Sequence, residues 1–150
     1  MPQSLFKILV HIVFSTKNRA DLITPEIENP LFSYIHGIVE NNGSKLIAGG
    51  GTANHIHLLV SLGKRIEIPE LIGDIKRDNS LWIKQQDAGF GNFYWQKGYG
   101  AFSVGQSQVE TVVRYINRQK EHHKKQDFKA EFRALLMKYE IEYDERYVWD

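Results

Sequence analysis

The order in which the apolar period switches along this chain leaves few folds open. Residues 4–16 alternate, with Phe6, Ile8, Val10, Ile12 and Phe14 on one face and Leu9, His11 and Val13 on the other, as in a long strand. Asn29-Pro30 then reads as the N-cap and first residue of a helix whose stripe is Leu31, Tyr34, Ile35, Ile38 and Val39, ending at Gly43. Lys45–Ala48 is a short strand, and the glycines at 49–51 turn it into a second strand over 53–62, forming a hairpin. Pro69 opens a second helix with Leu71, Ile72 and Ile75 inward. Asn92–Trp95 and Ala101–Val104 are strand pieces around the loop QKGYG. Ser107 and Glu110 form a capping box for a helix with the stripe Val109, Val112, Val113 and Ile116. From Asp127 a last helix carries Phe128, Phe132, Leu135 and Leu136. The order β-α-β-β-α-β-α plus a C-terminal helix predicts an α+β domain over residues 1–150. Its sheet is a ferredoxin-like (RRM-like) antiparallel one with helices packed on one face, first and third strands central, and the other face an open platform.

Composition narrows function mainly by exclusion. No stretch approaches the ~20 apolar residues of a membrane span, and the alternating N-terminus lacks a signal-peptide cleavage pattern. There is no cysteine, hence no disulfide and no thiolate metal site, and a cytoplasmic location is expected. Net charge is +1, but residues 127–150 hold seven acidic and four basic side chains, so the rest of the chain is basic. Its cations cluster as Lys64-Arg65, Lys76-Arg77, Arg114 with Arg118, and Lys124-Lys125, which is enough for a phosphate-binding surface or simply for solvated helix faces.

Two constellations carry chemistry. In ANHIHLLVSL, residues 53–62, Ile56, Leu58 and Val60 share one strand face, while His55, His57 and Leu59 share the other. The two imidazoles are roughly 7 Å apart at Cα, close enough to hold one ion or one phosphate; two hydrogen-bonded core histidines would read the same way. In YINRQ, Tyr115 and Gln119 are i and i+4 on a helix edge flanked by Arg114, Arg118 and His122. Tyr115 is either a boundary aromatic or a nucleophile, and Gln119 either a surface amide or an oxygen ligand. Two imidazoles and an amide oxygen suit Mg²⁺ or Mn²⁺. A divalent ion beside a tyrosine suits attack on a phosphodiester.

With these residues placed, the chain resembles the small single-tyrosine transposases of the HUH superfamily, the insertion-sequence 200/605 type. His55-Ile56-His57 is similar to the His–hydrophobic–His motif and Tyr115 to Gln119 to the Tyr-x-x-x-Gln motif. HIVFSTKNR at 11–19, KRDNSLWI at 76–83, WQKGYGAFSV at 95–104 and the tail 128–149 resemble the family as well. Asn54 departs from it, since many members carry aspartate before the first histidine. The resemblance implies cleavage and rejoining of single-stranded DNA at hairpin-marked element ends. It implies a 5′-phosphotyrosine on Tyr115, a metal on His55, His57 and Gln119, and a homodimer whose active sites are completed in trans. Gly98, Gly100 and Gly105 would give the chain freedom for that exchange. Lys76, Arg77, Arg114 and Arg118 are the expected phosphate contacts.

A non-catalytic module binding single strands is the alternative from another class, but the chain lacks an aromatic-rich strand of the required kind. A zinc hydrolase would need a third histidine or glutamate in a recognisable spacing, which is missing. Replication initiators and relaxases share the chemistry but are typically larger.

Overall fold

A computed structural model describes residues 2–150. Four strands, β1 (Leu9–Ser15), β2 (Lys45–Gly51), β3 (His55–Ser61) and β4 (Gly100–Val104), form an antiparallel sheet in the order β2-β3-β1-β4. The first and third strands are therefore central, as the ferredoxin-like reading requires. β1 is shorter than its alternation suggested: Leu5, Phe6 and Ile8 precede it and are exposed.

One face of the sheet carries α1 (Pro25–Asn41) and α2 (Ile68–Gln86). Val10, Ile12 and Phe14 of β1 and Ile56, Leu58 and Val60 of β3 meet Leu31, Ile35, Leu71, Ile72 and Ile75 there, the largest core cluster. α1 starts one turn before the expected Asn29-Pro30, at Thr24-Pro25, and Pro30 lies inside it. The apolar stripe explains the earlier start, because Ile27 lies four residues before Leu31 and is buried with it. That burial outweighs the single i→i−4 hydrogen bond that Pro30 cannot donate.

The opposite face is not an open platform. α3 (Val109–Asn117), α4 (Gln119–His122) and α5 (Phe128–Lys138) lie over it. Phe128, Phe132 and Leu136 of α5 pack on Val13 and Phe102, and Ile116 of α3 packs on Leu9, Leu59 and Val104. The capping box does not form. Ser107 sits in a 3-10 turn, Gln106–Gln108, and α3 begins at Val109 without a side-chain cap. Gly50 lets α3 lie this close: a Cβ there would stand 2.5 Å from the Ile116 carbonyl oxygen. The glycines read as a turn are thus part of β2, and the turn itself falls at Thr52–Asn54. Asp127 caps α5 by accepting from the Ala130 amide at 2.8 Å.

A candidate metal and nucleophile site

His55 and His57 leave β3 on the face covered by α3–α5, and both are fully buried. Their neighbours set their ring orientation. Asn54 Nδ2 donates to the Arg19 carbonyl at 3.4 Å, which turns Oδ1 toward His55 Nδ1 at 2.8 Å. An amide oxygen therefore accepts the His55 N–H, which leaves His55 Nε2 facing the site. Thr52 Oγ1 is 2.9 Å from the same Nδ1. His57 Nδ1 lies 2.8 Å from Nε2 of His11, a buried histidine of β1.

The helices bring the remaining groups. Tyr115 on α3 is half-buried, with its ring edge-on to His57 at 5.6 Å between centroids. The helix breaks at Arg118, and Gln119 opens α4. Tyr115 and Gln119 therefore do not share one continuous helix, yet both reach the same point. Gln119 Oε1 is 2.9 Å from His55 Nε2, and Gln119 Nε2 donates to Glu131 Oε2 at 3.0 Å.

Glu131 of α5 is the group that sequence reasoning missed. Its Oε1 lies 3.0 Å from His57 Nε2, 3.4 Å from His55 Nε2 and 3.0 Å from His123 Nε2. Its Oε2 accepts a hydrogen bond from the Tyr115 hydroxyl. Among the described residues His55, His57 and Glu131 are the set whose ligand atoms could share one metal ion. The signal was in the phase of α5: Glu131 stands three residues after Phe128 and one before Phe132, an acidic residue inside an apolar stripe. Among the described residues no lysine or arginine pairs with it; its ionic neighbours are histidines.

The electrostatics follow from burial around this carboxylate. Burial opposes its charge, but the imidazoles of His123, His55 and His57 around it overcome that and hold Glu131 far below the carboxylate range. Burial lowers His57 against the pull of Glu131. Burial and the neighbouring His57 lower His11 to about 3, so it is neutral. Burial, then the charge of Glu131, pushes the Tyr115 phenol well above its ordinary value. A buried carboxylate whose ionic neighbours are all imidazoles fits a divalent cation, and so do an imidazole nitrogen and an amide oxygen brought to 2.9 Å beside it. The donor set of two imidazoles, a carboxylate and an amide oxygen passes that test. Beside it a cavity of about 290 Å³, bordered by Val112, Tyr115, His122, Glu131, Lys138 and Tyr139, gives access to the phenol.

The four expected phosphate contacts do not form one patch. Arg114 and Arg118 are exposed on the Tyr115 side. Lys76 and Arg77 lie on α2, across the sheet. Arg77 is exposed and bonded to Asp74 at 2.8 Å and Asp78 at 3.2 Å. Lys76 donates to the carbonyls of Gln96, Lys97 and Gly98 at 2.9, 3.2 and 2.7 Å and sits over the Phe14 ring. Burial lowers this ammonium to about 8 while the three carbonyls anchor it to the loop. Lys76→Met is expected to cost about 2 kcal/mol, the range for hydrogen bonds to a charged group, or roughly 4–8 °C in melting temperature. The salt dependence of DNA binding should not change. A slope reduced by about one unit at unchanged melting temperature would place Lys76 on a phosphate instead.

Within one chain the Tyr115 ring lies edge-on to His57. No helix among the described residues is long and apolar enough to cross a membrane.

Comparison with known proteins agrees with the geometry. Residues 4–119 match the family model described as "Transposase IS200 like". The match ends on Gln119 and leaves Glu131 outside it. The transposase of insertion sequence element IS200 from Salmonella typhimurium is 25% identical over 122 residues, covering 76% of this chain and 78% of that protein. The ISDra2 transposase TnpA of Deinococcus radiodurans is 20% identical over 120 residues, covering 77% and 86%. Two solved structures share the fold, each with a TM-score of 0.62. One is a candidate transposase from Deinococcus radiodurans, 20% identical, covering 79% of this chain and 98% of that one. The other is a REP-associated tyrosine transposase bound to a REP hairpin, 15% identical, covering 82% and 73%. The chain belongs to the IS200-like transposase family and is a DNA transposase.

Proposed function

We propose that the chain cleaves and rejoins single-stranded DNA beside a hairpin, with Tyr115 as the nucleophile. His55, His57, Gln119 and Glu131 would hold Mg²⁺ or Mn²⁺. The observation that carries this is the convergence of a phenol and two imidazoles on one buried carboxylate. Hairpin DNA as the partner is supported by the structural neighbour, which binds one.

A bound divalent ion would polarise a phosphate oxygen and stabilise charge in the transition state. The rest falls to the protein. The Glu131 Oε2 bond orients the Tyr115 hydroxyl, and the flanking cavity admits the nucleotide. The phenol oxygen gives its proton to water in the flanking cavity and bonds to phosphorus as the bond from phosphorus to the 3′ oxygen breaks. The 3′ oxygen takes a proton and leaves as a hydroxyl, and the 5′ phosphate stays on Tyr115. Attack by a 3′ hydroxyl on that phosphotyrosine reverses the step, so the bond energy is kept and no nucleotide triphosphate is used. Arg114 and Arg118, exposed near Tyr115, would meet the DNA backbone.

The test is incubation of the protein with a labelled single-stranded oligonucleotide carrying a hairpin. With Mg²⁺ or Mn²⁺ an adduct that survives SDS should form, and EDTA should prevent it. Full cleavage in EDTA, or activity with Zn²⁺ alone, would overturn the choice of metal.

The homodimer with shared sites has its own test. Because Tyr115 and His57 of one chain are in contact, each chain is proposed to build its own site. Co-expressed His57→Ala and Tyr115→Phe chains, purified as mixed dimers, should then stay inactive, since every site keeps one defect. Recovered cleavage would show that sites are completed in trans, as the resemblance implies.

A further inference from the structure

His11 has been given no role in the chemistry so far, yet its imidazole touches a proposed ligand. It sits in the central strand β1, on the same sheet face as Val13, which pairs with His57. The ring is buried and stacks on His57 with centroids 5.0 Å apart and planes inclined by 29°. The Nε2 to Nδ1 distance of 2.8 Å is that of a hydrogen bond. Two neutral imidazoles can place only one proton on such a line, so the tautomers of the two rings are coupled.

If the shared proton belongs to His11 Nε2, His57 must carry its other proton on Nε2, which then points at Glu131 Oε1, 3.0 Å away. If it belongs to His57 Nδ1, His57 Nε2 presents a lone pair. Only the second form can ligate a metal. We propose that His11 is a positioning residue that accepts the His57 Nδ1–H and thereby holds His57 in the metal-binding tautomer. This rests on the proposed metal site and deepens it.

The site contains a matching device for the other ligand, because Asn54 Oδ1 accepts from His55 Nδ1 at 2.8 Å. The two histidines are thus oriented by different acceptors, an amide on the loop and an imidazole on the neighbouring strand.

The experiment measures Mn²⁺ binding alone, by calorimetry or by the electron paramagnetic resonance of free Mn²⁺, with no DNA present. His11→Phe keeps a ring of similar shape and removes the acceptor. His11→Gln keeps an acceptor at the reach of Nε2. Affinity should fall about 10- to 100-fold in His11→Phe, the usual cost of losing a group that orients a ligand. It should return to within about threefold of wild type in His11→Gln, a margin inside the spread for one good hydrogen bond. Nitrogen-15 spectra of the Mg²⁺-loaded wild type should show the His57 proton on Nδ1. The inference falls if His11→Phe binds Mn²⁺ as wild type does, or if His57 keeps its proton on Nε2 with Mg²⁺ bound. The spectrum decides alone if His11→Phe does not fold. Failure of wild type to bind Mn²⁺ at all would instead overturn the metal reading on which this rests.

Discussion

Tyr115→Phe should abolish the covalent protein–DNA adduct and lower cleavage by roughly three orders of magnitude or more, the scale of losing a nucleophile. It should leave folding and DNA binding nearly intact. The ring remains to pack on His57, His11 and His122, and only the hydroxyl and its bond to Glu131 are lost. Tyr94, Tyr99 and Tyr139 are not placed to substitute. Tyr94 is exposed at the mouth of a groove formed by Lys17, Gln96 and Lys97, and Tyr99 is exposed next to Lys76. Tyr139 is stacked on Phe102. Wild-type cleavage should also rise with pH. Burial and the Glu131 charge both favour the protonated phenol, so proton loss is harder than in free tyrosine. A cation in the site would cancel the second cause but not the first. An adduct that persists in Tyr115→Phe, or that maps to Tyr94 or Tyr99, would refute the assignment.

How much of this could be read from the residues depends on how local each determinant is. Alternation in β3 fixes which residues share a face, so the split between Ile56, Leu58 and Val60 and the histidines was legible and is observed. The element order fixed the central pair of strands, because a hairpin and two crossovers leave few arrangements. The burial of the histidines was not legible. It depends on α3 and α5 packing over the sheet, a long-range outcome to which Gly50 contributes by leaving room for the Ile116 carbonyl. The start of α3 was misplaced because Ser107 and Glu110 satisfy a local pattern that the 3-10 turn pre-empts. Tyr115 and Gln119 were found from spacing although the helix between them is broken. Their convergence survives because both side chains are held by a third residue, Glu131. That residue lies beyond the segment shared with the family and came from a different helix, so no spacing rule could reach it.

Glu131 is where metal binding is expected to show its largest effect on the folded protein. A ligand present at about 100 times its dissociation constant stabilises the native state by about 2.7 kcal/mol. For a chain of this size that raises the melting temperature by roughly 5–10 °C. Mn²⁺ should therefore give a clear shift in wild type, and His57→Ala should abolish both the shift and cleavage. Glu131→Gln asks a sharper question. It keeps the shape of the side chain and can still accept from the Tyr115 hydroxyl, but it removes the negative charge and the strongest oxygen donor in the site. If the carboxylate is a ligand, Mn²⁺ affinity should fall by about tenfold or more, since a neutral amide is a poorer partner for a hard divalent ion. The Mn²⁺-induced rise in melting temperature should shrink with it, by about 1.4 kcal/mol per tenfold loss. If the carboxylate merely fills the space between the histidines and Tyr115, removing its charge would leave Mn²⁺ binding unchanged or tighter. Comparing the Mn²⁺-induced shift within each variant, rather than the metal-free melting temperatures, keeps the test independent of the contacts that Glu131 makes with His123, His55 and His57.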